Sequence, residues 1–346
     1  MNLLHPSALR RVTEARLGSR RTEELWNALS IPPALERTAA SLTRAELAMA
    51  LGLQLFDDVC QRVPMARAYV ADAVRGGRRL IFDHGALRTV AGACGALPSG
   101  RTAFARLLEP LGYRLAGVYP LERLGMTGFV YASAEREDEL PQYFVSELHP
   151  ERFSLPFQDA VRRVVGTSVD PLAEDVRELL TRLEIEGELS LVEAQRLLPG
   201  LVACFDRQHA EPRLADYELL AAESSEMAWI ATEGNAFNHA TDRVENVAAV
   251  ADEQRRLGRP VKDALEVSRS GRVIQTAFHA AEVERLFVDT DGRLTPRRVP
   301  GSFHEFISRA RMDDGRLDLA FDANNAQGIF RMTARDESYR PETIAQ

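Results

Sequence analysis

Two histidines begin the same five-residue pattern. His84-Gly-Ala-Leu-Arg88 and His239-Ala-Thr-Asp-Arg243 both read H-x-x-x-R, each at the end of a short apolar run. An acidic residue follows each one downstream. Glu147, in Phe144-Val-Ser-Glu147-Leu148, lies 63 residues after His84, and Glu305, in Phe303-His-Glu305-Phe306, lies 66 after His239. Two histidines and one carboxylate on one face of an octahedral metal leave open positions for substrate and oxygen, a donor set that suits non-haem Fe(II). An inward-facing glutamate among phenylalanines is costly unless a cation or partner compensates it. Taken singly, each histidine reads more simply as a satisfied core residue, and each glutamate as one that alternation turns to solvent. The matched positions lift the joint reading above that, and the spacing leaves both Glu147 and Glu305 open as the acidic ligand.

Arg88 and Arg243 each stand four residues after a histidine. On a strand an even offset keeps both side chains on one face, where a guanidinium can clamp a substrate carboxylate bidentately. For Arg243 a structural ion pair is an equal reading, because Asp242 and Glu245 are close in sequence. Gln275, in Val273-Ile-Gln275-Thr276, is a further substrate hydrogen-bonding candidate. His279 and His304 compete as ligands, but His304 adjoins Glu305 and points to the opposite face of a strand. His5, His149 and His209 have polar neighbours and read as surface residues.

The elements that must position these residues repeat. Arg79–His84 reads as a strand, Phe104–Leu108 as a helical turn, and Tyr113–Tyr119, Gly128–Ser133 and Gln142–Leu148 as further strands. A second round begins with a strand over Asn235–Thr241 and a helix over Val244–Leu257. A hairpin about Ser270-Gly271 follows, and Arg285–Val288 and Phe303–Ile307 complete it. The prediction is an α+β protein in which two β-α-β-β-β modules form a metal-binding sheet core. They occupy residues 76–155 and 229–346, with helical segments over 1–75 and 156–228. Thr43-Arg44-Ala45-Glu46 marks a helix start in the first helical segment. Leu172, Val176, Leu179, Leu180 and Leu183 repeat at helical spacing in the second.

Composition narrows the partners. A net charge of -8 argues against nucleic-acid binding, which needs a basic face. A small anionic substrate remains compatible with a local arginine pocket. Lys262 is the single lysine among 43 basic residues, so Schiff-base chemistry has one candidate. Cys60, Cys94 and Cys204 form no C-x-x-C pair and suit a reducing compartment. No signal peptide or membrane span is evident, which makes a cytoplasmic location the expectation.

With these residues in place, the chain resembles the 2-oxoadipate dioxygenase/decarboxylase family, also called hydroxyglutarate synthase. The motifs are Asn235-Ala-Phe-Asn-His239-Ala-Thr-Asp-Arg243-Val, Phe82-Asp-His84-Gly-Ala-Leu-Arg88-Thr-Val and Phe144-Val-Ser-Glu-Leu148, and the similarity runs from about Arg79 to Arg309. That family resembles the vicinal-oxygen-chelate enzymes in fold and metal site. The resemblance implies Fe(II) on His84, His239 and Glu305, with Arg88 on the substrate carboxylate and Gln275 as a weaker carry-over. It implies conversion of a small 2-oxo acid, 2-oxoadipate, and O2 to 2-hydroxyglutarate and CO2, by chelation, decarboxylation and intramolecular hydroxylation. The chain is shorter at its C-terminus than long family members, so contacts made there are expected to be absent or replaced by Asn324-Asn-Ala-Gln327-Gly328. Competing expectations are a glyoxalase-like isomerase, a dioxygenase for another 2-oxo acid, and a non-catalytic small-ligand module.

Overall fold

The computed structural model describes residues 6–321; His5 and Asn324–Gly328 lie outside them. The N-terminal region contains α1 (Ala8–Ala28), β1 (Ser41–Thr43), α2 (Arg44–Arg62) and α3 (Pro64–Arg75). The helix start read at Thr43 is a full capping box. The Thr43 hydroxyl accepts from the Glu46 N–H, and the Glu46 carboxylate accepts from the Thr43 N–H. Such a cap contributes about 1 kcal/mol by satisfying donors the helix cannot. Glu46 is itself buried and paired with Arg37.

The first module contains β2 (Phe82–Val90), α4 (Thr102–Leu108), β3 (Tyr113–Leu121), β4 (Met126–Ser133) and β5 (Gln142–Leu148). Helices α5 (Leu155–Val165), α6 (Glu174–Glu186), α7 (Leu191–Ala203), α8 (Leu214–Glu223) and α9 (Ser225–Glu233) follow. β6 (Glu188–Ser190) pairs with β1 between them. The second module contains β7 (Phe237–Arg243), α10 (Val247–Arg256), β8 (Glu266–Val267), β9 (Val273–Ala277), β10 (Glu282–Val288), β11 (Leu294–Pro300) and β12 (Phe303–Arg309). Both modules share one eight-stranded sheet, curled into a half-barrel, in the order β3-β4-β5-β2-β7-β12-β9-β8. In each module the first strand runs parallel to the last, and the intervening strands extend antiparallel toward the edge. The modules meet where β2 pairs antiparallel with β7. The predicted duplicated architecture is therefore the observed one.

One predicted strand belongs elsewhere. Arg285–Val288 falls in β10, which pairs with β11 in a separate two-stranded ribbon, and β8, β9 and β12 complete the module instead. The ribbon docks through Phe287, whose ring lies 4.8 Å from that of Tyr217 on α8. The strand read as Arg79–His84 runs later, over Phe82–Val90, so the whole H-x-x-x-R pattern lies inside it. Gly85 allows this. A Cβ there would meet the Phe237 ring at 2.1 Å, so the bare backbone admits an aromatic ring from the neighbouring strand.

Each face of the sheet has its own apolar core. Helices α1, α2, α3, α7 and α10 cover one, with Leu87, Tyr143, Phe237 and Phe306 facing them. Helices α5, α8 and α9 cover the first module's other face through Ala86, Val130, Phe144 and Leu148. Ala86 shares its face with His84, so the second core borders the side chains singled out above.

Candidate metal centre

Residues directly opposite one another in adjacent strands share a face of the sheet. β2 sets His84 opposite Thr241 and Ala86 opposite His239, and β12 sets Glu305 beside Thr241. One row across three strands thus carries His84, Thr241 and Glu305, with His239 two residues along β7. His239 Nε2 lies 3.4 Å from Glu305 Oε2, and His84 Nε2 lies 4.0 Å from Oε1. One ligand atom from each of the three falls within 4.8 Å of the others. The imidazoles stand edge to face, 5.5 Å apart, and His239 stacks on Phe303 at 4.7 Å.

The site is dry. Glu305 is wholly buried, and neither carboxylate oxygen has a hydrogen-bond donor among the described residues. Burial pushes its carboxyl well above the ordinary range, and the nearby Glu266 charge adds to this. Burial also pushes both imidazoles below their ordinary value, His239 well below, with the His84 and Arg88 charges adding to the effect on His239. Neutral imidazoles facing an orphaned carboxylate are what a divalent cation needs and what a buried site without one tolerates poorly. The residues therefore fit a divalent cation in a two-histidine, one-carboxylate donor set.

The internal repeat also shows which acid is suited to the role. By register, β5 places Phe144 beside Ala86 as β12 places Glu305 beside Thr241, so Phe144 holds the position equivalent to Glu305. Glu147 faces the other way. Its carboxylate accepts from the Arg101 N–H at 2.6 Å, at the start of α4. The similar sequence separations had made Glu147 and Glu305 counterparts; strand register makes them unrelated.

Arg88 is 1% exposed, with its guanidinium 5.0 Å from the Trp229 ring centre. Burial lowers it to about 10, with the Glu226 charge opposing the fall. Gln275 lies on the same face as Glu305 and donates to Glu266 at 3.1 Å. Arg243 lies at the far end of β7, where it reaches Asp83 at 3.7 Å and donates to the Asp138 carbonyl. His304 points to the opposite face as predicted, among Phe56, Tyr69 and Phe306, and burial lowers it to about 3. His279 is exposed and His149 half-buried. His209 is not a surface residue: it is buried, bonded to the Ala231 carbonyl at 3.0 Å, and lowered to about 4 by burial.

Several contributors were not read from the sequence. Asp83 accepts from His84 Nδ1 at 2.9 Å, and Asn238 Oδ1 lies 3.2 Å from His239 Nδ1. Their signal was present in the aligned triplets Phe82-Asp-His84 and Phe237-Asn-His239. Arg309 ion-pairs with Asp83 from β12, and Trp229 supports Arg88; neither has a local motif. Phe321 sets its ring edge-on to His84 at 4.9 Å and packs on Phe144 at 5.0 Å. Beside it a cleft of about 230 Å³, lined in part by Tyr119, Val130, Gln142 and Leu319, opens next to the β5 neighbour of His84.

Known proteins share this architecture. The crystal structure of a glyoxalase superfamily protein from Ralstonia eutropha JMP134 is 52% identical, covers 91% of this chain and 98% of its own, and superposes with a TM-score of 0.88. Hydroxyglutarate synthase from Oryza sativa, solved with 2-oxoadipate, has the same fold at 19% identity and a TM-score of 0.64, over 89% of this chain and 95% of its own. The 2-oxoadipate dioxygenase/decarboxylase of Oryza sativa subsp. japonica, a chloroplastic/amyloplastic protein, is 24% identical over 310 residues, 81% of this chain and 76% of that one. The family model for 2-oxoadipate dioxygenase/decarboxylase matches residues 52–333, and the chain belongs to that enzyme family.

Proposed function

We propose that this chain holds Fe(II) on His84, His239 and Glu305 and converts 2-oxoadipate and O2 to 2-hydroxyglutarate and CO2. The observation that carries the reading is Glu305, a wholly buried carboxylate with two orphaned oxygens, facing the Nε2 atoms of two histidines. Fe(II) bound there would supply the redox chemistry with O2 and neutralise the chelating end of the 2-oxo acid. The protein supplies placement. Strand-borne ligands fix the orientation of the chelate, and Arg88, steadied on Trp229, takes a substrate carboxylate. Gln275 borders the substrate on the β9 side. Arg243, engaged with Asp83, is assigned a structural ion pair rather than a substrate contact. Phe144, Phe303 and Phe321 exclude water around the reacting carbons.

The name of the Ralstonia neighbour favours a second reading, a glyoxalase-like isomerase on the same metal. One experiment separates the two. Fe(II)-loaded protein is incubated with 2-oxoadipate and a panel of other 2-oxo acids while O2 uptake, CO2 release and products are followed together. Equal consumption of O2 and release of CO2, with 2-hydroxyglutarate formed, is expected. Turnover without O2 uptake would replace the proposal with the isomerase, and turnover of another 2-oxo acid alone would rename the substrate. No turnover of any member would leave a small-ligand module.

The expected cytoplasmic location belongs to this same reading. No helix among the described residues is long and apolar enough to cross a membrane.

A further inference from the structure

The two histidines carry the same motif but are backed by different chemistry. In β2 the pairing with β7 slips between Phe82 and His84, so Asp83 is an extra residue without an opposite partner. Such a bulge re-aims a side chain. Asp83 is turned to His84 Nδ1, 2.9 Å away. A carboxylate only accepts, so it commits Nδ1 to carrying the proton and leaves Nε2 with its lone pair, 3.2 Å from the Thr241 hydroxyl and 4.0 Å from Glu305 Oε1. The Arg309 guanidinium donates to both Asp83 oxygens, a charge-assisted pairing that keeps the carboxylate an acceptor toward His84.

Arg309 is built to hold that carboxylate. Its side chain is wholly buried, its Nε and Nη2 donate to Asp83 at 2.9–3.0 Å, and its Nη1 donates to the Asp318 and Ala320 carbonyls at 3.0 Å. The same guanidinium therefore ties the partner of His84 to the segment that sets Phe321 against the His84 ring.

On β7 the equivalent residue is Asn238, 3.2 Å from His239 Nδ1 through Oδ1. An amide can present either an acceptor or a donor to that nitrogen. Its Nδ2 is buried with no hydrogen-bond partner among the described residues, so no contact at that end of the amide fixes which end meets the ring. Rotated, it would donate to Nδ1 and place the His239 proton on Nε2, the ligand position.

We propose that Asp83, locked by Arg309, is a positioning residue that commits His84 to binding metal through Nε2, whereas Asn238 leaves His239 able to change tautomer. His84 is then the preset arm of the metal centre and His239 the adaptable one. This rests on the metal reading above, and the test separates the two.

Two measurements decide it. Imidazole ¹H–¹⁵N correlation spectra of metal-free protein, assigned with His84→Gln and His239→Gln, report tautomers directly. His84 is expected as a single Nδ1–H form and His239 as a mixture. Anaerobic Fe(II) titrations, repeated with Co(II) and its visible bands, compare wild type with Asp83→Asn, Arg309→Met, Arg309→Lys and Asn238→Asp. Circular dichroism confirms that each is folded. Asp83→Asn and Arg309→Met should weaken binding about 10–100-fold, the range for lost partners of metal-bound histidines. Arg309→Lys should recover most of that loss, and Asn238→Asp should bind at least as tightly as wild type while fixing His239 as Nδ1–H. A folded Asp83→Asn that binds as wild type does, or His84 found as Nε2–H, overturns the inference and leaves the metal centre standing. A wild type that binds neither ion overturns both. Should Asp83→Asn not fold, the wild-type and Asn238→Asp spectra still decide, because equal tautomer populations at His84 and His239 in the wild type would sink the asymmetry.

Discussion

The two modules repeat one strand order, yet only the second could hold most of a metal centre. β2 contributes His84 alone, and Phe144 fills the position that Glu305 occupies in the other half. β7 and β12 contribute both His239 and Glu305. The arginines of the repeated motif diverge as well. Arg88 is buried on Trp229 beneath α9, whereas Arg243 reaches the rim and pairs with Asp83. Helices α5, α8 and α9 cover the first module's inner face and turn it into a wall. The second module's inner face has only a small apolar patch around Ala277 and Phe303. Duplication thus supplies two equivalent frames, and the apolar lining of one gives the ligands of the other a dry surface.

The largest effect should separate Glu305 from Phe144. Glu305→Ala removes the only anionic member of the candidate donor set, and metal affinity should fall by more than about a hundredfold with turnover lost. Phe144→Leu should keep metal affinity within about threefold and lower stability by about 1 kcal/mol, as a volume-near apolar swap does. Calorimetric metal titration and thermal unfolding measure both. In wild type, metal at a hundred times its dissociation constant should stabilise the fold by about 2.7 kcal/mol, and Glu305→Ala should abolish that gain. Equal loss of metal in the two variants would mean that the halves are functionally symmetric.

A smaller effect should separate the arginines. Losing a charge-assisted carboxylate contact forfeits about 1.5–3 kcal/mol. Arg88→Met should therefore raise the KM for 2-oxoadipate about 10–100-fold, with metal binding intact. Arg243 stands 3.7 Å from Asp83, a carboxylate that Arg309 already holds at 2.9 Å, so its loss leaves Asp83 paired. Arg243→Met should leave kcat/KM within about fivefold of wild type. Steady-state kinetics on the two variants break the comparison if Arg243 proves the more costly.

How much of this was legible follows physical range. The repeated H-x-x-x-R, the helix start at Thr43 and the strand order are local patterns, and each reads directly as a structural element. Strand register is not local. Glu147 and Glu305 looked equivalent because sequence distance ignores how many residues a loop uses, whereas side-chain face changes with every single residue. His209 escaped notice because its flanks, Arg207-Gln-His-Ala-Glu211, are polar and its burial comes from α9, through the Ala231 carbonyl. Arg309 and Trp229 reach the site across 226 and 141 residues of chain from Asp83 and Arg88, and no window of sequence contains both partners. Asp83 and Asn238 were visible in the aligned triplets, but their importance lies in which ring nitrogen each one meets.

The smallest effect tests Glu147, the residue that sequence spacing paired with Glu305. Its carboxylate satisfies the Arg101 N–H at the entry to α4, and it reaches that N–H because residue 100 is a glycine at φ +49°. A Cβ there would lie 1.7 Å from the Glu147 carboxylate. The contact closes the turn between β2 and α4 on the face away from the metal ligands. Glu147→Ala removes a cap-type hydrogen bond and should lower stability by about 0.5–2 kcal/mol, read as a fall in the urea midpoint at unchanged slope. Metal affinity and kcat should stay within about twofold of wild type, because nothing in the row of His84, Thr241 and Glu305 touches it. A Glu147→Ala protein that unfolds normally but loses metal would give the first module a ligand after all, and the division of labour between the halves would have to be redrawn.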